Sequence, residues 1–243
     1  MRLRSISKNV KEQNWFAVLL DFFIVVLGVF IGIQLGNWND ARHTRSAFVE
    51  AKDNLSAEYQ ANLEMVDKFI EDVEARTKLV RGAISALREC EKGDQAIEQV
   101  AKGANAARGT PTLHLRQTAL SKITTNDAYL SLVEKKDRER LKEFERRLSQ
   151  AQATLNWLED RPFENHIEDS PHISNGHLIP LSTNESVMIR NLTVNAPMDE
   201  ICSDQTFAGP FYLWERTATF QSLRARQIRT WLSEASDGRN EAS

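Results

Sequence analysis

The run "FAVLLDFFIVVLGVFIGIQL", residues 16 to 35, constrains this chain more than any other feature, because its only polar members are Asp21 and Gln34. About 20 such residues make a helix long enough to cross the hydrocarbon core of a bilayer. Residues 15 to 38 therefore read as a transmembrane helix, with Trp15 and Trp38 at the ends, where indole rings favour the headgroup level. Two other readings compete. A cleaved signal peptide fits the N-terminal position and the preceding Arg2, Arg4, Lys8 and Lys11, but the apolar run exceeds the usual ~7–15 residues and "GNWNDARH" has no small-residue cleavage pattern. A buried core helix would need a large protein around so uniform a cylinder.

Whole-chain averages conceal this segregation: 243 residues with a formal charge of -3 and 41% hydrophobic content look like an ordinary globular protein. The four basic residues before the span outnumber Arg42, Arg45 and Lys52 just after it, a slight bias toward a cytoplasmic N-terminus. The expected layout is a cytoplasmic tail at 1–14, the span at 15–38, an extracytoplasmic (periplasmic) helical domain at 39–235 and a disordered tail at 236–243. Cys90 and Cys202 both follow the span, which suits one disulfide in an exported domain, with two buried free thiols as the alternative. The triplets at Asn184 to Ser186 and Asn191 to Thr193 match a glycosylation pattern that has meaning only in a eukaryotic secretory route.

The expected fold class is all-α. After Trp38 no Pro or Gly occurs until Gly82, so the helix can run on as a stalk. Tyr59, Val66, Val73, Val80 and Leu87 form one row at seven-residue spacing, and Leu63, Ile70, Thr77 and Ile84 form a second. Phe48 and Leu55 are out of phase with the first row, as in a stutter. The rows predict either an oligomeric coiled coil or antiparallel packing within the chain against Leu141, Phe144, Leu148, Ala151, Leu155 and Leu158. Gly93 reads as a helix stop with Asp94 as the next cap, and "GANAARGTP" reads as a loop. A short helix is expected from about Thr112 to Ile123 and another from Arg138, capped by Asp137. Residues 160 to 186 read as a long irregular loop, "SVMIRNLTV" as strand or helix, and Phe211 to Leu232 as helix.

Three stretches together resemble a family of bacterial single-span envelope proteins described only as a domain of unknown function: "EQNWFAVLLDFFIVVLGVFIGIQLGNWNDAR", "AFVEAKDNLSAEYQANLE" and "TALSKITTNDAYLSLVEKKDRERLKEFERRL". The matching residues are Asp21 in the span, Asn37, Trp38 and Asn39 at its exit, and the leucines at 55, 63, 120, 130, 141 and 148. Where the family often has a loop glycine, this chain has "TTND". The resemblance covers roughly residues 10 to 65 and 117 to 150 and implies a bacterial cell-envelope location with no known chemistry; the inner membrane is the expected location.

No glycine-rich phosphate loop, nucleophile elbow or paired-cysteine metal spacing occurs, so no catalytic residue and no cofactor is assigned, and a non-enzymatic protein is expected. His166, His172 and His177, interleaved with Glu164, Glu168 and Asp169, form a weak metal candidate, because spacings of six and five fit no compact helical site; a solvated polar loop is the alternative. The basic run Lys135, Lys136, Arg138, Arg140, Lys142, Arg146 and Arg147 is nearly cancelled by interleaved acids, which marks an exposed salt-bridged helix face and not a nucleic-acid site. Arg216, Arg224, Arg226 and Arg229 alternate with Trp214, Phe220 and Trp231 as either an anion site or an amphipathic helix.

Within the span, at 100° per residue, Gly28, Gly32 and Gly36 lie at about -20°, +20° and +60° from Asp21. Small residues four apart let helix backbones approach closely in lipid, and a carboxylate on that face meets a partner in place of hydrocarbon, avoiding a cost near ~3 kcal/mol. The alternative is that the glycines are incidental and Asp21, about 9 Å along the helix from Trp15, snorkels to the interface. The expected partners are thus lipid and another membrane helix, self or foreign. Two functions stay open: an anchor, scaffold or accessory subunit of an envelope complex, and an ion-motive-force-coupled subunit using Asp21, which is similar in having one aspartate early in a single span.

Overall fold

A computed structural model describes residues 15–160, 166–180 and 188–240. The chain is all-α, 80% helical, with one small hairpin. The expected tail 1–14, the acceptor triplet at residues 184–186 and Glu164 of the histidine-rich stretch lie outside the described residues.

Helix α1, Trp15–Glu89, runs 75 residues without a break, about 110 Å at ~1.5 Å per residue. No proline interrupts it, and the heptad rows do what their spacing requires: Tyr59, Val66, Val73, Val80 and Leu87 are all buried. Burial begins near Phe48 and Ala51, where Phe48 packs on Tyr129 with ring centroids 5.7 Å apart. The helix ends in a Schellman-type turn, since the Glu91 N–H donates to the Ala86 carbonyl while Cys90 takes a left-handed φ of 46°.

Gly93, with φ 102°, reverses the chain and itself caps α2, Asp94–Ala107, in place of the expected Asp94. Helix α2 returns along α1, and the expected loop around Gly103 is helical. A Cβ on Gly103 would lie 2.3 Å from the Ala83 Cβ, so this crossing admits only glycine. Gln99 reinforces it by donating to the Gly82 carbonyl at 2.8 Å.

Residues 108–117, expected to be partly helical, form an extended strap tied down by side-chain amides. Asn62 donates to the Arg116 carbonyl at 2.8 Å and accepts from its N–H at 2.9 Å. Gln152 does the same for Leu113 and Leu115, at 2.7 and 2.8 Å. The next helix, α3 (Thr118–Thr124), has its N-terminal N–H groups accepted by buried Glu58, from Ala119 at 2.8 Å and Leu120 at 3.1 Å. Asn126 caps α4, Asp127–Ser131. Helix α5, Lys135–Asp160, starts before Asp137, which lies in its first turn and is not its cap.

The expected loop after α5 contains a 3₁₀ turn, Ile167–Asp169, and strand β1, Ile173–Pro180. Strand β2, Met188–Val194, pairs antiparallel with β1, Ile173 opposite Val194 and Pro180 opposite Met188, with an irregularity between Asn175 and Leu178. Asn105 on α2 supplies a further rung: its amide donates to the Leu192 carbonyl and accepts from the Leu192 N–H, both at 2.8 Å. After α6, Met198–Ser203, helix α7 (Gln205–Asn240) runs 36 residues, continuing past residue 236, where a disordered tail is expected.

The intramolecular expectation holds for α1 but with a different partner. Helices α7 and α2 cover most of its heptad rows, and α5 reaches them only at the Tyr59 end. Phe207, Phe211, Trp214, Ala218, Ala225, Ile228 and Leu232 give α7 an apolar stripe long enough to match α1. The α5 stripe, buried only at Leu148, Ala151, Leu155 and Leu158, packs chiefly on α7 and α3 and meets α1 through Tyr59 and Phe144, centroids 5.3 Å apart. Beside the apolar seam runs a polar ladder, again every seven residues on α1. Gln60 bonds Ser236, Asp67 bonds Arg229, Glu74 bonds Arg226 and Arg81 bonds Glu215.

Candidate functional site

The two ends of α1 differ in what covers them. From Leu19 through Leu35 every large apolar side chain is exposed, Phe22 and Val25 at 64%. Apart from the adjoining residues and the helix's own backbone, no atom comes within 4 Å of where a Cβ would stand on Gly28, Gly32 or Gly36. Asp21 is exposed on the same side of the cylinder. Leaving so many Leu, Ile, Val and Phe side chains in water would cost on the order of 20–40 kcal/mol at ~1.5–3 kcal/mol each. The segment therefore needs an apolar surrounding. Among the described residues this is one helix long and apolar enough to cross a membrane.

In the domain, the structure does not gather the three histidines into a site. His172, at the base of β1, places Nε2 3.1 Å from Asp204 Oδ2 and Nδ1 3.6 Å from Glu200, and its ring stands edge-on to Phe207 at 5.7 Å. His177 is exposed on the hairpin and His166 precedes the 3₁₀ turn. Among the described residues no cluster of His, Cys, Asp and Glu could hold a metal ion. Glu168 of the same stretch pairs with Arg108, whose guanidinium also donates to the Arg190 carbonyl. The polar stretch is thus a fastening between hairpin and helices. Asp204 completes it as the cap of α7: its Oδ1 accepts from the Thr206 hydroxyl at 2.6 Å and from the Thr206 N–H at 2.8 Å. Those two bonds, then His172, hold the Asp204 carboxyl below its usual range.

Cys90 and Cys202 stand here as free thiols, both half-buried, and the Cys90 thiol donates to the Met198 carbonyl of the short helix that carries Cys202, at 3.7 Å. Burial first, then the hydrogen bond to Cys90, pushes the Cys202 thiol up to about 12.

The basic run on α5 is spent locally. Glu143 accepts from both Arg146 and Arg147, which hold its carboxyl down to about 2, and Arg140 pairs with Asp137 at 3.3 Å. On α7 the arginines diverge: Arg226 and Arg229 pair with acids of α1, while Trp214 is buried with its Nε1–H donating to the Gly109 carbonyl at 3.1 Å. Between α1 and α7 lies a shallow open trough of about 580 Å³, lined by Val73, Thr77, Lys78, Ala218, Ser222 and Leu223.

Sequence reasoning missed Glu58, Asn62, Asn105 and Gln152. Glu58 and Asn62 carry a faint signal, as polar residues buried within an otherwise apolar helical face. Compared with protein-family models, with curated proteins and with solved structures, the chain finds no match.

Proposed function

We propose that this chain is a non-enzymatic single-pass membrane protein that anchors its helical domain and joins an envelope complex through helix contacts in the bilayer. In this reading the N-terminus is cytoplasmic, the domain is periplasmic and the membrane is the bacterial inner membrane. The observation that supports it most is the uncovered first part of α1, apolar all round except for Asp21, Gln34 and a strip of bare backbone at Gly28, Gly32 and Gly36. Lipid satisfies the apolar surface; a second helix, from another copy or a partner protein, satisfies the carboxylate and closes on the glycines.

The test is crosslinking in native membranes. Gly32→Ile wedges the backbones apart and abolishes the crosslinked species, whereas Val26→Ile, about 120° from Gly32 round the helix, leaves it intact. Undiminished crosslinking of Gly32→Ile overturns the packing role. The exposed Asp21 carboxylate also favours a second reading, an ion-motive-force-coupled subunit. Asp21→Asn separates the two, because an amide still hydrogen-bonds across helices but cannot exchange a proton. Loss of the cellular phenotype with retained crosslinking selects ion coupling.

A further inference from the structure

Cys90 is the only non-glycine residue with positive φ among the described residues, 46° at the position after α1 where helices usually place glycine. A side chain in that strained position implies that its atoms are used. The Cys90 thiol donates to the Met198 carbonyl at 3.7 Å, and Cys202 lies about one helical turn further along the same short helix. The turn at the end of α1 thus brings one cysteine to the helix that carries the other, 112 positions away in sequence.

We propose that Cys90 and Cys202 form a disulfide in the mature protein, stapling the end of α1 to the short helix that leads into α7. The arrangement is that of a modification site and not of two incidental core thiols, because the strained turn, the bond from Cys90 to the helix of Cys202 and an exit to solvent coincide. Cys202 lines an open depression of about 380 Å³ with Arg88, Gln205 and Tyr212. The oxidant is a disulfide, carried by a protein or by glutathione. In this exchange Cys90, at the turn that ends α1, attacks first. Its thiolate bonds one acceptor sulfur, the acceptor S–S bond breaks, and the departing acceptor thiolate takes up the proton that Cys90 released. Cys202 then loses its proton through the depression and attacks the Cys90 sulfur, expelling the second acceptor thiolate, which is protonated in turn. One protein disulfide and two acceptor thiols result, with two electrons passed to the acceptor. That the bond persists in the cell rests on the periplasmic placement proposed above, because disulfides survive in oxidising compartments; the pairing itself lies within the domain and is tested apart from it.

The experiment uses the full chain in detergent micelles, equilibrated with reduced and oxidised glutathione, quenched by alkylation and weighed intact. The expected product is one monomeric species lighter by about 2 Da, as loss of two hydrogens requires, with Cys90 and Cys202 in one linked peptide. Its thermal midpoint is expected to rise by roughly 10 °C over the reduced form, as a long closed loop implies. Cys90→Gly, which suits the left-handed turn and so keeps the fold, should lose the oxidative rise entirely. Stable glutathione adducts on separate cysteines, a covalent dimer, or an unchanged midpoint in the linked species would each overturn the proposal.

Discussion

One helix, α1, lives in two environments, and the contrast between its halves shows what sequence patterning decides. The first part, through about residue 43, has nothing of its own chain against it, and from Leu19 to Leu35 it is apolar all round but for Asp21 and Gln34. The second half confines its apolar residues to heptad rows and is covered along them by α2 and α7. Backbone geometry is the same in both. The difference is angular: a full cylinder of apolar groups asks for a surrounding solvent, and a stripe asks for a neighbour.

The contrast breaks most severely at Val73, 1% exposed in the packed seam. Val73→Asp buries a charge without a partner and should cost about 4 kcal/mol or more, seen as a collapse of the urea midpoint of the domain. Next is Asn105→Ala, which strips both bonds from the buried Leu192 backbone. A loss of about 2–3 kcal/mol follows from the orphaned N–H and carbonyl, with amide exchange at residues 188–194 accelerating before that of α1.

A smaller effect comes from pH. The folded state holds the Asp204 carboxyl below its usual range, so folding favours the ionised form. That contribution is complete above the unfolded value near ~3.9 and is lost as pH falls through the folded value. The domain should therefore weaken in acid below about pH 4, and Asp204→Asn should flatten that part of the stability profile. The smallest effect belongs to the uncovered half. Val25→Ala should leave the domain midpoint within about 0.5 kcal/mol of the parent, and any larger shift would mean that the two halves are not energetically separate.

How much of this was legible follows from the range over which each cause acts. The apolar run, the heptad rows and the turn at "TTND" depend on residues within a few turns of one another, and their periods are written directly in the chain. The partner of the rows was misread because Leu141 to Leu158 and Phe207 to Leu232 carry the same kind of stripe, and spacing alone does not rank two candidates. Strand β1 was hidden because "ISNGHLIP" lacks alternation and gains its order from β2, itself docked by a side chain 87 positions away. Gly103 looked like a loop residue because its reason, contact with Ala83, exists only once α2 has folded back. The proposed pairing of Cys90 with Cys202 was suggested by cysteine count, whereas the strain at Cys90 could be seen only in the backbone.

The absence of any break in α1 has a rotational consequence. A rigid shaft ties the azimuth of everything mounted on it, so the face bearing Asp21 and the trough beside Val73 keep one fixed angle about a common axis. Inserting a single alanine between Ala41 and Arg42, in the uncovered stretch, would turn the domain by about 100° against that face, while seven would bring it back to within about 20°. A partner gripping both places would tolerate the seven and reject the one, which makes the shaft a device for setting phase.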